Sequence, residues 1–103
     1  MPNVRRSPRV GHSTECTLRR FTGSPIRART VDVGPGGMCV RTSRPLAMDE
    51  VLAFDLELPP HIDGRGRVLR QQGSDMYAIR FEVLAEPAAA ALNALTAVHS
   101  PPT

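Results

Sequence analysis

The sequence has 103 residues, which suits one domain with its own core, and 41% of them are apolar, which argues against disorder. No apolar run approaches the roughly 18 residues that a bilayer requires, so we predict no membrane-spanning segment. Because no apolar segment follows the arginines near the N-terminus, we also predict no signal peptide and a cytoplasmic location. The net charge is +3 and all thirteen basic residues are arginine, which favours an anionic partner.

The first eleven residues (1–11) are predicted to form a flexible arm. Three arginines, Arg5, Arg6 and Arg9, occur within five positions, and neighbouring prolines discourage a helix. The alternative is a solvated tail of the kind that is common at chain termini. The arginines alone do not decide between these two interpretations.

Six later segments alternate apolar and polar residues with a period of two, which is the pattern of a strand with one buried face. These segments are 12–20, 26–32, 38–42, 51–58, 61–72 and 76–83. Turn residues separate them at intervals of about ten residues, as is typical of small barrels. The sequence therefore predicts a mainly β fold, with a six-stranded antiparallel β-barrel over residues 12–84.

One C-terminal α-helix is predicted after the barrel, over residues 85–98. Pro87 in the first turn and the alanines that follow it both suit a helix. Leu92, Leu95 and Val98 are spaced so that they can dock this helix on the barrel. Residues 99–103 are predicted to form a tail, and arm, barrel, helix and tail together make one domain.

The sequence gives little support for an enzyme, a cofactor or a metal site. His12, His61 and His99 have no nucleophile or carboxylate at a spacing that indicates catalysis. Cys16 and Cys39 lack the close spacing of a zinc site, and a reducing cytoplasm disfavours a disulfide between them. Both cysteines lie in predicted strands, and we predict that they are small core residues.

A glycine-rich turn joins the second and third predicted strands, with the motif Asp32-x-Gly34-x-x-Gly37. It follows the arm, in which Arg5 and Arg9 have the spacing Arg-x-x-x-Arg. Each motif is weak alone, but their order along a six-stranded pattern resembles the PilZ domain, the bacterial receptor for cyclic di-GMP. The resemblance covers nearly the whole chain and implies the split-barrel fold of that family, with a helix after the barrel.

The resemblance also implies which side chains bind the nucleotide. Arginines of the arm can donate two parallel hydrogen bonds to a phosphate or to the edge of a guanine. Asp32 would accept hydrogen bonds from a guanine, and Gly37 would allow a close approach of the backbone, with a positive φ. The implied ligand-binding residues are Arg5, Arg6, Arg9, Asp32, Gly34, Gly37 and Arg70.

Three of these positions leave alternatives open. Arg6 lies inside the arm motif and is either solvated or a further contact. Arg70 lies on a strand that faces the site in this family, and it either stacks on a base or is a solvent-facing strand residue. Gly34 replaces the serine of the family. The missing hydrogen bond weakens binding by about 0.5–1.5 kcal/mol, or roughly threefold to tenfold.

These features predict a receptor whose arm closes over cyclic di-GMP and presents a surface to a separate protein partner. The alternative, which Gly34 favours, is a degenerate PilZ adaptor that binds no nucleotide and acts through protein–protein contacts. A barrel that binds RNA or single-stranded DNA is a third alternative. It is disfavoured, because most of the few aromatic residues fall on predicted core faces and not among the arginines. We therefore expect no nucleic acid polymer and no membrane as partners, and a monomer or weak dimer.

Overall fold

The computed structural model describes residues 10–58, 61–84 and 86–99, and in the last of these ranges it describes the side chains of residues 87–94. The described chain forms strands and one helix in the following order: β1 (Val10–Gly11), β2 (Glu15–Arg19), β3 (Ile26–Val33), β4 (Gly37–Arg41), β5 (Val51–Leu56), β6 (Ile62–Gln71), β7 (Met76–Leu84) and α1 (Glu86–His99). His99, predicted as the first residue of the tail, is thus the last residue of the helix.

The sheet closes on itself. Its strands follow the order β3-β2-β5-β6-β7-β4, every pair is antiparallel, and β4 also pairs with β3. The predicted six-stranded antiparallel barrel with a C-terminal helix is therefore confirmed. An additional short strand, β1, takes the last two residues of the predicted arm and pairs with the end of β3, where Val10 lies opposite Val33 and Gly11 opposite Asp32.

The hydrophobic core fills the inside of the barrel. In β5 the alternate residues Leu52, Phe54 and Leu56 are at most 1% exposed, as the period-two pattern predicts. The ring of Phe54 stacks on that of Phe81 in β7, with 4.9 Å between their centroids. Such stacking adds to the stabilisation that burial of the two rings provides.

The helix packs on the barrel through one face. Leu92 is fully buried and Ala88 nearly so, and both belong to the same core as the inward side chains of the strands. Of the three residues predicted to dock the helix, the structure confirms Leu92. The side chains of Leu95 and Val98 lie outside the described part of the chain.

β6 and β7 approach each other closely at Gly64 and Gly66. A Cβ atom on Gly64 would lie 2.4 Å from the carbonyl oxygen of Val83, and one on Gly66 would lie 2.9 Å from that of Arg80. The register of the two strands shifts between Arg65 and Gly66, which marks a β-bulge beside these glycines. Glycine is required here because no other residue leaves room for the neighbouring backbone.

The strand predicted over 12–20 is shorter in the structure, where β2 covers Glu15–Arg19. The hydrogen-bond ladder along β3 is interrupted between β1 and β2. The hydroxyl of Thr30 fills the gap: it donates a hydrogen bond to the carbonyl oxygen of His12 at 2.5 Å and accepts one from the amide of Thr14 at 2.9 Å. A buried side chain thus takes the place of a backbone partner, and β1 and β2 follow the same edge of β3.

Candidate ligand-binding site

One extra residue, Val31, determines where the side chain of Asp32 lies. Thr30 and Asp32 are opposite consecutive residues of β4, so Val31 forms a β-bulge. A bulge shifts the alternation of side chains by one position. The core-facing positions are therefore Thr30 and Val33, which are almost fully buried, and Asp32 turns to the outer face, where it is partly exposed.

Asp32 begins a row of outward-facing residues that crosses four strands. Asp32 lies opposite Cys39, Cys39 opposite Ala78, and Ala78 opposite Arg70. Directly opposed residues share a face of the sheet. With strands about 4.8 Å apart, this outer row (Asp32, Cys39, Ala78 and Arg70) measures about 14 Å along the sheet. It thus has a carboxylate at one end and an exposed guanidinium at the other.

The middle of the outer row consists of two small residues. Met38 and Val40 point into the core, so Cys39 between them faces outward, although it is only 2% exposed. Ala78 likewise faces outward and is 2% exposed. Two small, covered side chains therefore separate the carboxylate of Asp32 from the guanidinium of Arg70.

Both cysteines are buried, as predicted, and they differ in the face of the sheet on which they lie. Cys16 belongs to the core, and burial raises the pKa of its thiol to about 12. Cys39 is buried on the outer face instead, because the register of β4 gives the inward positions to its neighbours. Neither cysteine forms a disulfide.

The glycine-rich turn closes one end of the outer row. The amide of Gly34 donates to the carbonyl oxygen of Gly37 at 2.9 Å, and the amide of Phe81 donates to that of Gly36 at 2.9 Å. The turn is therefore tied to β7 as well as to its own hairpin. The positive φ expected at Gly37 is wrong, because Gly37 begins β4 with extended backbone; among described glycines it is Gly23 that has a positive φ, of 97°.

Arg80 is a candidate that the sequence analysis missed. It lies directly opposite Gly37, on the outer face of β7, and its side chain is exposed. A contact of 3.5 Å joins it to Glu82, which has a shorter contact of 2.8 Å with Arg67. Hydrogen bonding from Arg67, together with Arg80, holds the pKa of Glu82 below its usual value. The alternation of β7 could have indicated that Arg80 and Ala78 share a face.

The predicted site residues are only partly described. Asp32 and Gly34 lie at the hairpin, Gly37 begins the next strand, and Arg70 lies at the far end of the outer row, whereas the three arm arginines lie outside the described residues. The arm joins the barrel at Val10, which pairs with the last residue of β3 before the glycine turn. The segment that carries Arg-x-x-x-Arg is thus attached beside Asp32.

Residues 10–58, 61–84 and 86–99 contain no group of three His, Cys, Asp or Glu side chains that could hold a metal ion. The same part of the chain has no helix that is both long enough and apolar enough to cross a membrane.

The model of the PilZ domain family matches residues 3–97, which is most of the chain. The chain belongs to the PilZ domain family. A solved structure of the inhibitor of motility MotI/DgrA from Bacillus subtilis has the same fold as this PilZ chain, with a TM-score of 0.83 and 16% sequence identity. The match covers 94% of this chain and 51% of that protein, so the PilZ chain spans about half of its length. No curated protein matches the sequence.

Proposed function

We propose that this PilZ chain is a cyclic di-GMP receptor with no enzymatic activity, and that the nucleotide binds on the outer row. The observation that carries the proposal is the bulge at Val31. Without it, Asp32 would face the core, where a carboxylate is costly to bury. With it, Asp32 is on the same face as Arg70 and beside the strand that joins the arm to the barrel.

The chemistry of the outer row suits a guanine. The carboxylate of Asp32 has two oxygens and can accept from the ring N1–H and the exocyclic amine of one base, which point in the same direction. The planar guanidinium of Arg70 can stack on the base or donate to a phosphate.

In this proposal the arm binds the two phosphates and the second guanine. Arg5 and Arg9, with Arg6 as a further contact, supply the guanidiniums that such groups require. These arginines gain partners only when the nucleotide is present, so binding shifts the arm towards a closed state. In this proposal the closed arm alters the surface that a separate protein partner recognises in the cytoplasm, as the family implies.

The alternative function is that of a PilZ adaptor that has lost nucleotide binding. Gly34 favours it, because this position offers no hydroxyl and its amide is engaged by Gly37 within the turn. Such an adaptor would act on its partner without an arm that responds to the nucleotide.

The two functions are distinguished by calorimetric titration of cyclic di-GMP into the wild-type protein. We expect saturable binding that Asp32→Ala weakens by at least about tenfold, the effect of losing hydrogen bonds to a charged group. Asp63→Ala is the matched control, since Asp63 is an exposed carboxylate on β6, and it should bind as the wild type does. Arg5→Ala/Arg9→Ala should abolish binding.

Two results would contradict the receptor proposal in different ways. If the wild type shows neither heat nor a rise in melting temperature at high nucleotide concentration, the adaptor function replaces it. If the nucleotide binds equally well to Asp32→Ala and to the wild type, the protein is a receptor whose site is not the outer row.

A further inference from the structure

A concave site separate from the outer row lies on the outside of β2, β3 and the end of β4, at the end of these strands away from the glycine turn. It is a groove of about 370 Å³. Its lining includes the charged side chains of Glu15, Arg27, Arg29, Arg41 and Asp75. We call it the arginine groove. None of the residues of the outer row lines it.

The arginine groove places three arginines on one face of two neighbouring strands. Arg29 on β3 lies directly opposite Arg41 on β4, and opposed like charges destabilise a sheet. Arg27 comes two residues before Arg29 and therefore faces the same side of β3. This arrangement is favourable only when negative charge is placed between the arginines.

The protein itself supplies part of that negative charge. Arg29 lies 4.0 Å from a carboxylate oxygen of Glu15, and Arg41 lies 3.4 Å from one of Asp75. Within the described chain, the guanidinium of Arg27 has neither an ion pair nor a hydrogen bond. Three cations thus face two anions, and the exposed Arg27 is available to a ligand.

The lining of the arginine groove favours a peptide over a nucleic acid. Among the described residues that line it there is no aromatic side chain on which a base could stack. The carboxylates of Glu15 and Asp75 would repel a run of phosphates, but they can accept hydrogen bonds from the amides of a peptide. Guanidiniums and carboxylates side by side therefore suit a chain that carries both acidic side chains and backbone donors.

We propose that the arginine groove binds an acidic segment of a partner protein, with Arg27 as its main charged contact. The inference rests on the proposed function in that it names the chemistry of the partner on which the receptor acts. The groove and the outer row occupy different parts of the barrel, so peptide and nucleotide can bind at the same time.

The test uses fluorescence polarisation of a labelled peptide of alternating aspartate and glutamate, with a peptide of alternating asparagine and glutamine as the neutral probe. Arg27→Glu should weaken binding of the acidic peptide at least about tenfold, because a charge-assisted contact is lost and a repulsion replaces it. Arg65→Glu is the matched control: Arg65 is likewise exposed and without an ion pair among the described residues, and it lies on β6, across the barrel from β3.

Further variants and probes make each outcome decisive. Arg41→Glu should also weaken binding of the acidic peptide. Thermal unfolding should show that every variant folds. Equal effects of Arg27→Glu and Arg65→Glu would show non-specific attraction and overturn the proposal, as would absence of binding. An oligouridine is the probe for a nucleic acid. If it binds more tightly than the acidic peptide and Arg27→Glu weakens that binding too, the groove binds a nucleic acid and the peptide proposal is wrong.

Failure of this proposal can be separated from failure of the receptor function. Cyclic di-GMP is titrated into Arg27→Glu, which should bind it as the wild type does. If the nucleotide binds and the acidic peptide does not, only the groove proposal is wrong. If the peptide binds and the nucleotide does not, the groove serves an adaptor and only the receptor function is wrong.

Discussion

Gly34 occupies the position at which the family's motif has a serine. In this chain its amide closes the turn by donating to Gly37, and the turn is also held by the bond between Phe81 and Gly36. The main-chain geometry of the turn is therefore complete without a side chain at position 34. What the substitution removes is a hydroxyl that could contact the ligand, and we expect the nucleotide affinity to be lower for that reason.

Restoring the hydroxyl with Gly34→Ser should raise the affinity for cyclic di-GMP by roughly threefold to tenfold, the usual value of one hydrogen bond. Gly34→Ala is the control, because it adds the same Cβ atom without the hydroxyl. Both affinities are measured by calorimetry. Equal affinities of the serine and alanine variants would mean that the hydroxyl has no role at this position.

At the scale of a single element, β3 is the strand on which the candidate site depends. It pairs with β1, β2 and β4, and it contains the bulge that turns Asp32 outward. One residue before the bulge, the hydroxyl of Thr30 forms hydrogen bonds to the segment between β1 and β2. The same short stretch of β3 thus positions both the carboxylate and the strand that leads to the arm.

Thr30→Val keeps the shape of the side chain but leaves the buried amide of Thr14 without its acceptor, which costs about 1–3 kcal/mol of unfolding free energy. Thr30→Ser keeps the hydroxyl and is the matched control. We expect hydrogen exchange at the Thr14 amide, followed by NMR, to be much faster in the valine variant and nearly unchanged in the serine variant. Similar exchange rates in the valine and serine variants would show that the hydroxyl of Thr30 does not protect the Thr14 amide.

At the scale of the whole molecule, an ion pair ties the turn between β2 and β3 to the segment before β5. Arg20 contacts both carboxylate oxygens of Glu50, at 2.6 and 3.0 Å, and it also donates to the carbonyl oxygen of Pro45 at 2.8 Å. Glu50 in turn accepts from the amide of Ala47 at 2.9 Å. Hydrogen bonding from Arg20 is the main cause that lowers the pKa of Glu50.

The lowered pKa of Glu50 predicts how stability changes with pH. Because the folded state favours the carboxylate, its stabilisation is complete above the ordinary glutamate pKa of about 4.3 and is lost as the pH falls through the lower folded value. Glu50→Gln should therefore lower the melting temperature at pH 7, and the difference from the wild type should disappear in strong acid. The effect is modest and decreases with salt, because both side chains are partly exposed.

Glu57→Gln is the control for this experiment, since Glu57 is exposed and its side chain forms no ion pair within the described residues. Its melting temperature at pH 7 should match that of the wild type. A difference between Glu50→Gln and the wild type that persists at low pH would contradict the assignment to the ion pair.

The sequence by itself determined the local features of this protein. Period-two alternation marked six strands, because each strand has one buried face that the apolar residues must occupy. The alanines after Pro87 marked the helix, and the glycines from Gly34 to Gly37 marked the hairpin. The order of these features also identified the PilZ family. Each strand, helix and turn was inferred from residues close together in the chain, and the family was inferred from their order along it.

The tertiary structure alone decided which of the candidate residues share a face of the sheet. The outer row joins Asp32 to Arg70 through Cys39 and Ala78, and it depends on the register of four strands. Local periodicity does not specify register, and a shift of one residue exchanges the inner and outer faces of a strand. The bulge at Val31 is such a shift. Because β3 has one extra residue where it pairs with β4, Asp32 turns outward.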